Sequence, residues 1–169
     1  MLNIIRSPLA LVAATGLTLM LNQAHAGEVI RHPIPNSDFP VALAIEIPAD
    51  ATLVNFSGAV PTLAHPDQPR DSIAAYGDTQ AQTVNVLRLL EQSLKGVGLG
   101  LGDVIKMQVY LVGDPAQGGR MDFAGFMKGY TQFFGTAAQP LLPTRSVFQV
   151  AGLANPGFLV EIEITALRR

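Results

Sequence analysis

The residues most able to do chemistry are gathered in the last third of the chain. Pro143-Thr144-Arg145-Ser146 opens a strand-like run with a single arginine, and after a Gly/Pro turn a second such run carries Glu161 and Glu163. Arginine is a fixed fork of donors matched to a carboxylate, and glutamate can orient or deprotonate a water. Together they can hold a small acid and hydrolyse it. Other chemistries are poorly supplied. With no cysteine in the chain, thiol catalysis and thiolate metal sites are impossible. His32 and His65 lie in proline-bearing, irregular stretches without metal-ligand spacing. Ser57 and Ser146 have no evident base and no G-x-S-x-G elbow around them. We therefore expect no metal site. Position alone argues for blander roles: a strand arginine is most often an ion-pair partner, and alternating glutamates most often form a solvated or interface face.

Residues 1–26 read as a secretory signal: Arg6 in the n-region, an apolar stretch from Leu9 to Leu21, and Ala24-His25-Ala26 as a small-x-small site. Cleavage is expected between Ala26 and Gly27, giving a periplasmic or secreted protein with no membrane attachment. The apolar stretch is shorter than the roughly 20 residues of a spanning helix. Residues 27–40 form a polar, proline-punctuated arm, and residues 41–169 are long enough for one domain. The whole chain carries a net charge of −2, and loss of Arg6 makes the remainder more acidic. No run of lysine or arginine offers a phosphate-tracking surface, so no nucleic-acid partner is expected.

These candidate residues must be positioned by a small set of elements. Alternation of Val41, Leu43, Ile45 and Ile47 predicts a strand ending at Pro48, and a second covers Thr52 to Gly58. Pro61 to Gly77 lacks any period and reads as a long loop. Asp78 is an N-cap candidate for a helix with Val84, Leu87, Leu90, Leu94 and Val97 on one stripe, stopped by the glycines from Gly96 to Gly102. That glycine run follows a helix and matches no nucleotide-loop pattern.

Val104 to Val112 predicts a strand with Ile105, Met107, Val109 and Leu111 opposite Lys106, Gln108 and Tyr110. Asp122 caps a second helix with an aromatic stripe from Phe123 to Phe134, and the closing strands span Thr144 to Ala151 and Phe158 to Ala166. The order is ββαβαββ, a sheet with two helices. Two helices cover one face; on the other we place Val147, Ala151 and Leu159 with Arg145, Gln149, Glu161 and Glu163. A half-apolar face of this kind predicts a closed homo-oligomer.

Several motifs, taken in order, carry a resemblance. They are Phe56-Ser57-Gly58, Gly77-Asp78-Thr79-Gln80-Ala81-Gln82-Thr83, Asp103-Val104-Ile105-Lys106 leading to Val109-Tyr110-Leu111, Pro143-Thr144-Arg145-Ser146, and Val160-Glu161-Ile162-Glu163. Over residues 41 to 167 the chain resembles the Rid (YjgF, endoribonuclease L-PSP) family of reactive intermediate deaminases. The resemblance implies an α+β, chorismate-mutase-like fold: one mixed sheet of about six strands with two helices on one face, assembled as a homotrimer with a central barrel and ligand clefts between subunits.

The resemblance also implies a cofactor-independent hydrolysis of small carboxylate-bearing imines and enamines, giving 2-keto acids and ammonia. Arg145 then grips the carboxylate and Glu161 orients the attacking water. Gly58, Phe39 and Val147 fall at substrate-binding positions. Phe39-Pro40 stands where the family commonly has Tyr-Ser, and Val147 where it has cysteine, so the anchor is kept while the pocket changes. The alternatives are a non-catalytic, carboxylate-binding or holdase-like trimer and, less consistent with the acidic charge, an endoribonuclease.

Overall fold

The computed structural model describes residues 27–169; the expected secretory signal lies outside the described residues. Among those described, no helix is long and apolar enough to cross a membrane.

Both helices begin where the sequence places a carboxylate. The Asp78 side chain accepts from Ala81 N at 2.8 Å ahead of α1 (Thr79–Gly96), and Asp122 accepts from Gly125 N at 2.8 Å ahead of α2 (Phe123–Tyr130). Each supplies an acceptor for a first-turn N–H that has no partner within the helix. After α1, Gly98 takes φ +76°, a left-handed turn that glycine makes without a Cβ clash. The aromatic stripe after Asp122 outlasts its helix: α2 stops at Tyr130, and Phe134 folds back so that the two rings stack 5.1 Å apart.

The strands are β1 (Ile30–Pro33), β2 (Ala42–Glu46), β3 (Thr52–Ala59), β4 (Val104–Val112), β5 (Thr144–Val150) and β6 (Val160–Arg168). They form two sheets instead of one six-stranded sheet: a four-stranded sheet in the order β3-β6-β4-β5, and a separate β1-β2 pair. β1 lies inside the stretch read from sequence as an irregular arm. The α+β class and the order of the remaining elements agree with the expectation. β4 and β5 run parallel, with α2 in the crossover, and the other pairings are antiparallel.

One face of the larger sheet meets both helices. Met107, Val109 and Leu111 of β4 and Val160, Ile162, Ile164 and Ala166 of β6 pack on Val86, Leu87, Leu90 and Leu94 of α1 and on Phe126, Tyr130 and Phe134. Clearing this apolar surface from water supplies the main driving force for the fold. The long loop before α1 holds a short 3-10 helix, Ile73–Ala75, and is tied to the β5–β6 connection by Tyr76 packing edge-on to Phe158.

The β1-β2 pair is fastened beside the larger sheet by the Arg31 side chain and by Ala42 N, which donates to Pro143 O. Arg31 donates from Nη1 to Val104 O (3.1 Å) and Leu142 O (2.6 Å) and from Nη2 to Gly102 O (2.9 Å). Its removal takes a donor from each of three carbonyls. We expect Arg31→Ala to destabilise the protein by about 2–3 kcal/mol, read as a lower urea midpoint; a change below about 0.5 kcal/mol shows the arm is not held there.

Candidate functional site

The parallel β4–β5 register decides where Arg145 points. Met107 pairs with Arg145, Val109 with Val147 and Leu111 with Gln149, so these β5 side chains share the helix-covered face with three buried β4 residues. On the opposite face Gln108 pairs with Ser146 and with Glu163, and Tyr110 with Phe148 and with Glu161. This corrects the expectation that Arg145, Val147 and Gln149 accompany the glutamates on the uncovered face. Leu159 is also displaced from that face, since it is 1 % exposed within the core.

Arg145 ends in an aromatic cage. Its guanidinium carbon lies 4.2 Å from the ring centre of Tyr130, 5.1 Å from Phe126 and 5.5 Å from Phe39. Nη2 donates to the Met127 sulfur at 3.3 Å, whereas Nη1 is fully buried and has no hydrogen-bond partner. Such contacts with ring faces favour a cation. They do not accept its N–H groups as a carboxylate would.

The ion pairs among the described residues are His32–Glu46 and Glu91–Lys95, and neither involves Arg145. Burial pulls the Arg145 pKa below its ordinary value, with Tyr130 acting in the opposite sense. Burial likewise pushes the Tyr130 phenol up to about 12, so it stays a neutral donor, and its hydroxyl donates to Pro40 O at 3.0 Å.

Glu161 belongs to a second cluster. It lies on β6, two strands in from the β5 edge and on the other face. Gly58 adjoins it at an irregularity in the β3–β6 pairing, and a Cβ at that position would overlap the Glu161 carboxylate. The glycine is there because the carboxylate fills the space a side chain would need. Nearby, Gln108 Nε2 donates to Tyr110 Oη (3.1 Å), and Tyr110 Oη donates to Glu163 Oε2 (3.3 Å). Tyr110 stacks with Phe148, which is half exposed.

The structure thus divides the sequence-derived candidates into two groups within one chain: Arg145, Phe39 and Val147 at the covered face and β5 edge, and Glu161 with Gly58 on the open face. The rings of Phe126 and Tyr130 were read from sequence only as core, which they are; their second contact, with Arg145, depends on a register that periodicity does not contain. Among the described residues no group of three or more histidines or carboxylates is placed to hold a metal ion. The one guanidinium and the carboxylate singled out from the sequence thus lie on opposite sides of a sheet.

A mixed four-stranded sheet backed by two helices, with an unpartnered guanidinium nitrogen on its parallel edge strand, defines a small α+β protein. Residues 41–168 match the family model described as endoribonuclease L-PSP, and the chain belongs to this family, also called Rid or YjgF. The RutC family protein PH0854 of Pyrococcus horikoshii is 32% identical over 103 residues, spanning 61% of this chain and 73% of that protein. The structure of E. coli TdcF with bound serine is 28% identical, with a TM-score of 0.54 over 83% of this chain and 98% of that one. Rv2704 of Mycobacterium tuberculosis is 26% identical, with a TM-score of 0.51 over 82% of this chain and 98% of its own. YyfB of Yersinia pestis, at 24% identity and a TM-score of 0.59 over 80% and 96% of the two chains, shares the fold.

An orphaned buried N–H destabilises the chain that carries it. Arg145→Met keeps the length of the side chain and removes the unpaired donors, at the loss of the cation–ring contacts. We expect the variant to be more stable by about 1–2 kcal/mol in chemical denaturation. A destabilised Arg145→Met shows that the contacts with the rings outweigh the unpaired donor.

Proposed function

We propose that the protein hydrolyses 2-imino acids, and the enamines that tautomerise to them, to 2-keto acids and ammonia without a cofactor, in clefts between the subunits of a homotrimer. The observation that carries this reading is the buried Arg145 Nη1 without a partner. A carboxylate completes it with a charge-assisted bond, and the aromatic walls exclude the water that would compete. The bound serine of TdcF, an amino acid with a free carboxylate in a family member, agrees with that ligand class.

In this reading Glu161 takes a proton from water as the oxygen adds to the C=N carbon and returns it to the nitrogen, giving a neutral carbinolamine; Glu161 then carries the hydroxyl proton to the amine as the C–N bond breaks, releasing ammonia and leaving the keto group. Imine hydrolysis has a low intrinsic barrier, so positioning the acid and one water supplies most of what is needed. The two groups lie on opposite faces of one chain, and a second copy can bring its open face, with Glu161 and Gly58, against the first copy's β5 edge. The half-exposed Phe148 and Leu53 on that face favour burial in such an assembly. We further propose export, by cleavage after Ala26. A carboxylate binder without turnover is the second reading, favoured by the absence of the family's thiol and hydroxyl at Val147 and Phe39-Pro40.

A coupled assay for ammonia and keto acid from freshly generated imino acids separates these readings. Arg145→Lys keeps the charge and loses the fork, so kcat/KM is expected to fall by roughly 10- to 150-fold. Glu161→Gln is expected to lower kcat more than carboxylate affinity. Parental rates in both variants would leave the deaminase reading without support.

Subunit mixing tests the shared cleft. If Arg145 and Glu161 of different chains make one site, co-refolding the two variants at equal amounts restores about a quarter of the parental activity, since random assembly pairs intact groups at that frequency. Sites built within one chain would restore none. Light scattering should give about three chain masses, and a stable monomer would refute the trimer.

A further inference from the structure

Because Arg145 Nη1 is fully buried, a carboxylate reaches it only where a neighbour yields. Three rings and a sulfur lie against the guanidinium. Phe126 and Tyr130 are 0 % exposed on α2, and Tyr130 is also bonded to Pro40 O. Met127 belongs to the same helix and accepts from Nη2. Phe39 differs from all three. Its ring covers the guanidinium at 5.5 Å yet is 43 % exposed, and it belongs to the irregular segment between β1 and β2.

That segment is fastened on both sides of the ring. Arg31 holds β1 to three carbonyls, while Pro40 O accepts from Tyr130 and Ala42 N donates to Pro143 O at 2.9 Å. Between these anchors Phe39 N donates only to the nearby Ser37 Oγ (3.1 Å). The ring can therefore rotate off Arg145 without breaking a long-range bond, and it is the member of the cage that can leave.

The surface uncovered by that rotation is apolar. It comprises Phe126, Met127 and the ring of Tyr130, with Val147 next along the same face of β5. The Tyr130 hydroxyl is already engaged by Pro40 O. An acid with its carboxylate on Nη1 puts its side chain against carbon and sulfur. A polar side chain loses water there without gaining a partner, and an apolar one gains burial.

Resting on the reading that Arg145 holds a carboxylate, we infer that the site selects 2-imino acids with a bulky apolar side chain. Phe39 is the specificity-determining residue: it swings off the guanidinium and closes on that side chain. Phe39 carries no proton and makes no bond to the reacting carbon, so its effect appears in discrimination between acids and not in the chemical step.

The test uses the stable 2-oxo acids, which keep the carboxylate and side chain of the imines, in calorimetric titrations of the assembled protein. Phenylpyruvate and 4-methyl-2-oxopentanoate are expected to bind on the order of 10-fold or more tighter than pyruvate and 2-oxoglutarate. Phe39→Ala should narrow that gap to about 3-fold or less, and Phe39→Leu should retain most of it. Equal affinities in the parent, or an undiminished gap in a folded Phe39→Ala, overturn the inference while the carboxylate anchor stands. Binding that survives Arg145→Ala, or no binding of any 2-oxo acid, overturns the anchor and the inference with it.

Discussion

A guanidinium buried without a carboxylate constrains everything around it. Taking a charged group out of water destabilises a fold unless bonds or ring faces replace the lost hydration. Here the replacement is partial: three rings and a sulfur for the charge, and nothing for Nη1. Two of the rings stand one turn apart on α2, at Phe126 and Tyr130, so the helix that completes the core also completes the cage. The start of α2 is fixed by the Asp122 cap. The preceding loop is fixed as well: Gln149 on β5 accepts from Met121 N and donates to Gly119 O. Loop, helix and edge strand thereby hold one another in the geometry that the arginine requires.

Much of this was legible in the sequence, for reasons that can be named. Asp78 and Asp122 stand ahead of apolar stripes of helical period, and local chemistry alone places the helix starts. The alternation in Val104 to Val112 assigned the buried side of β4 correctly, since Met107, Val109 and Leu111 are the buried set. Order-dependent motifs identified the family, and the match over residues 41–168 agrees. The β1 strand was missed because it is short, proline-ended and stabilised by pairing with β2 and by Arg31, neither of which has a local signal.

The face of Arg145 was misread for a different reason. Within β5 the alternation of Arg145, Val147 and Gln149 against Ser146, Phe148 and Val150 gives no contrast in polarity. Period 2 fixes which residues share a face, and only the register with a neighbour fixes which face that is. The parallel pairing of Met107 with Arg145 supplies the missing information, and it comes from a crossover through α2 that the strand itself does not encode. Assigning Glu161 and Arg145 to one surface would have required a one-residue slip of β5, exposing Val147 and burying Ser146.

Separation of the two polar groups by the thickness of the sheet also bears on assembly. A site made within one chain would work at any concentration, whereas one made from the β5 edge of one copy and the open face of another exists only when the copies meet. In the proposed assembly the same contact would cover Phe148 and Leu53, so the apolar burial that favours association would also complete the site. In the isolated chain Glu161 lies partly buried on the open face and Arg145 lies against the Phe39 ring. In the proposed deaminase, this arrangement keeps the water-activating carboxylate and the acid anchor from acting until both are enclosed.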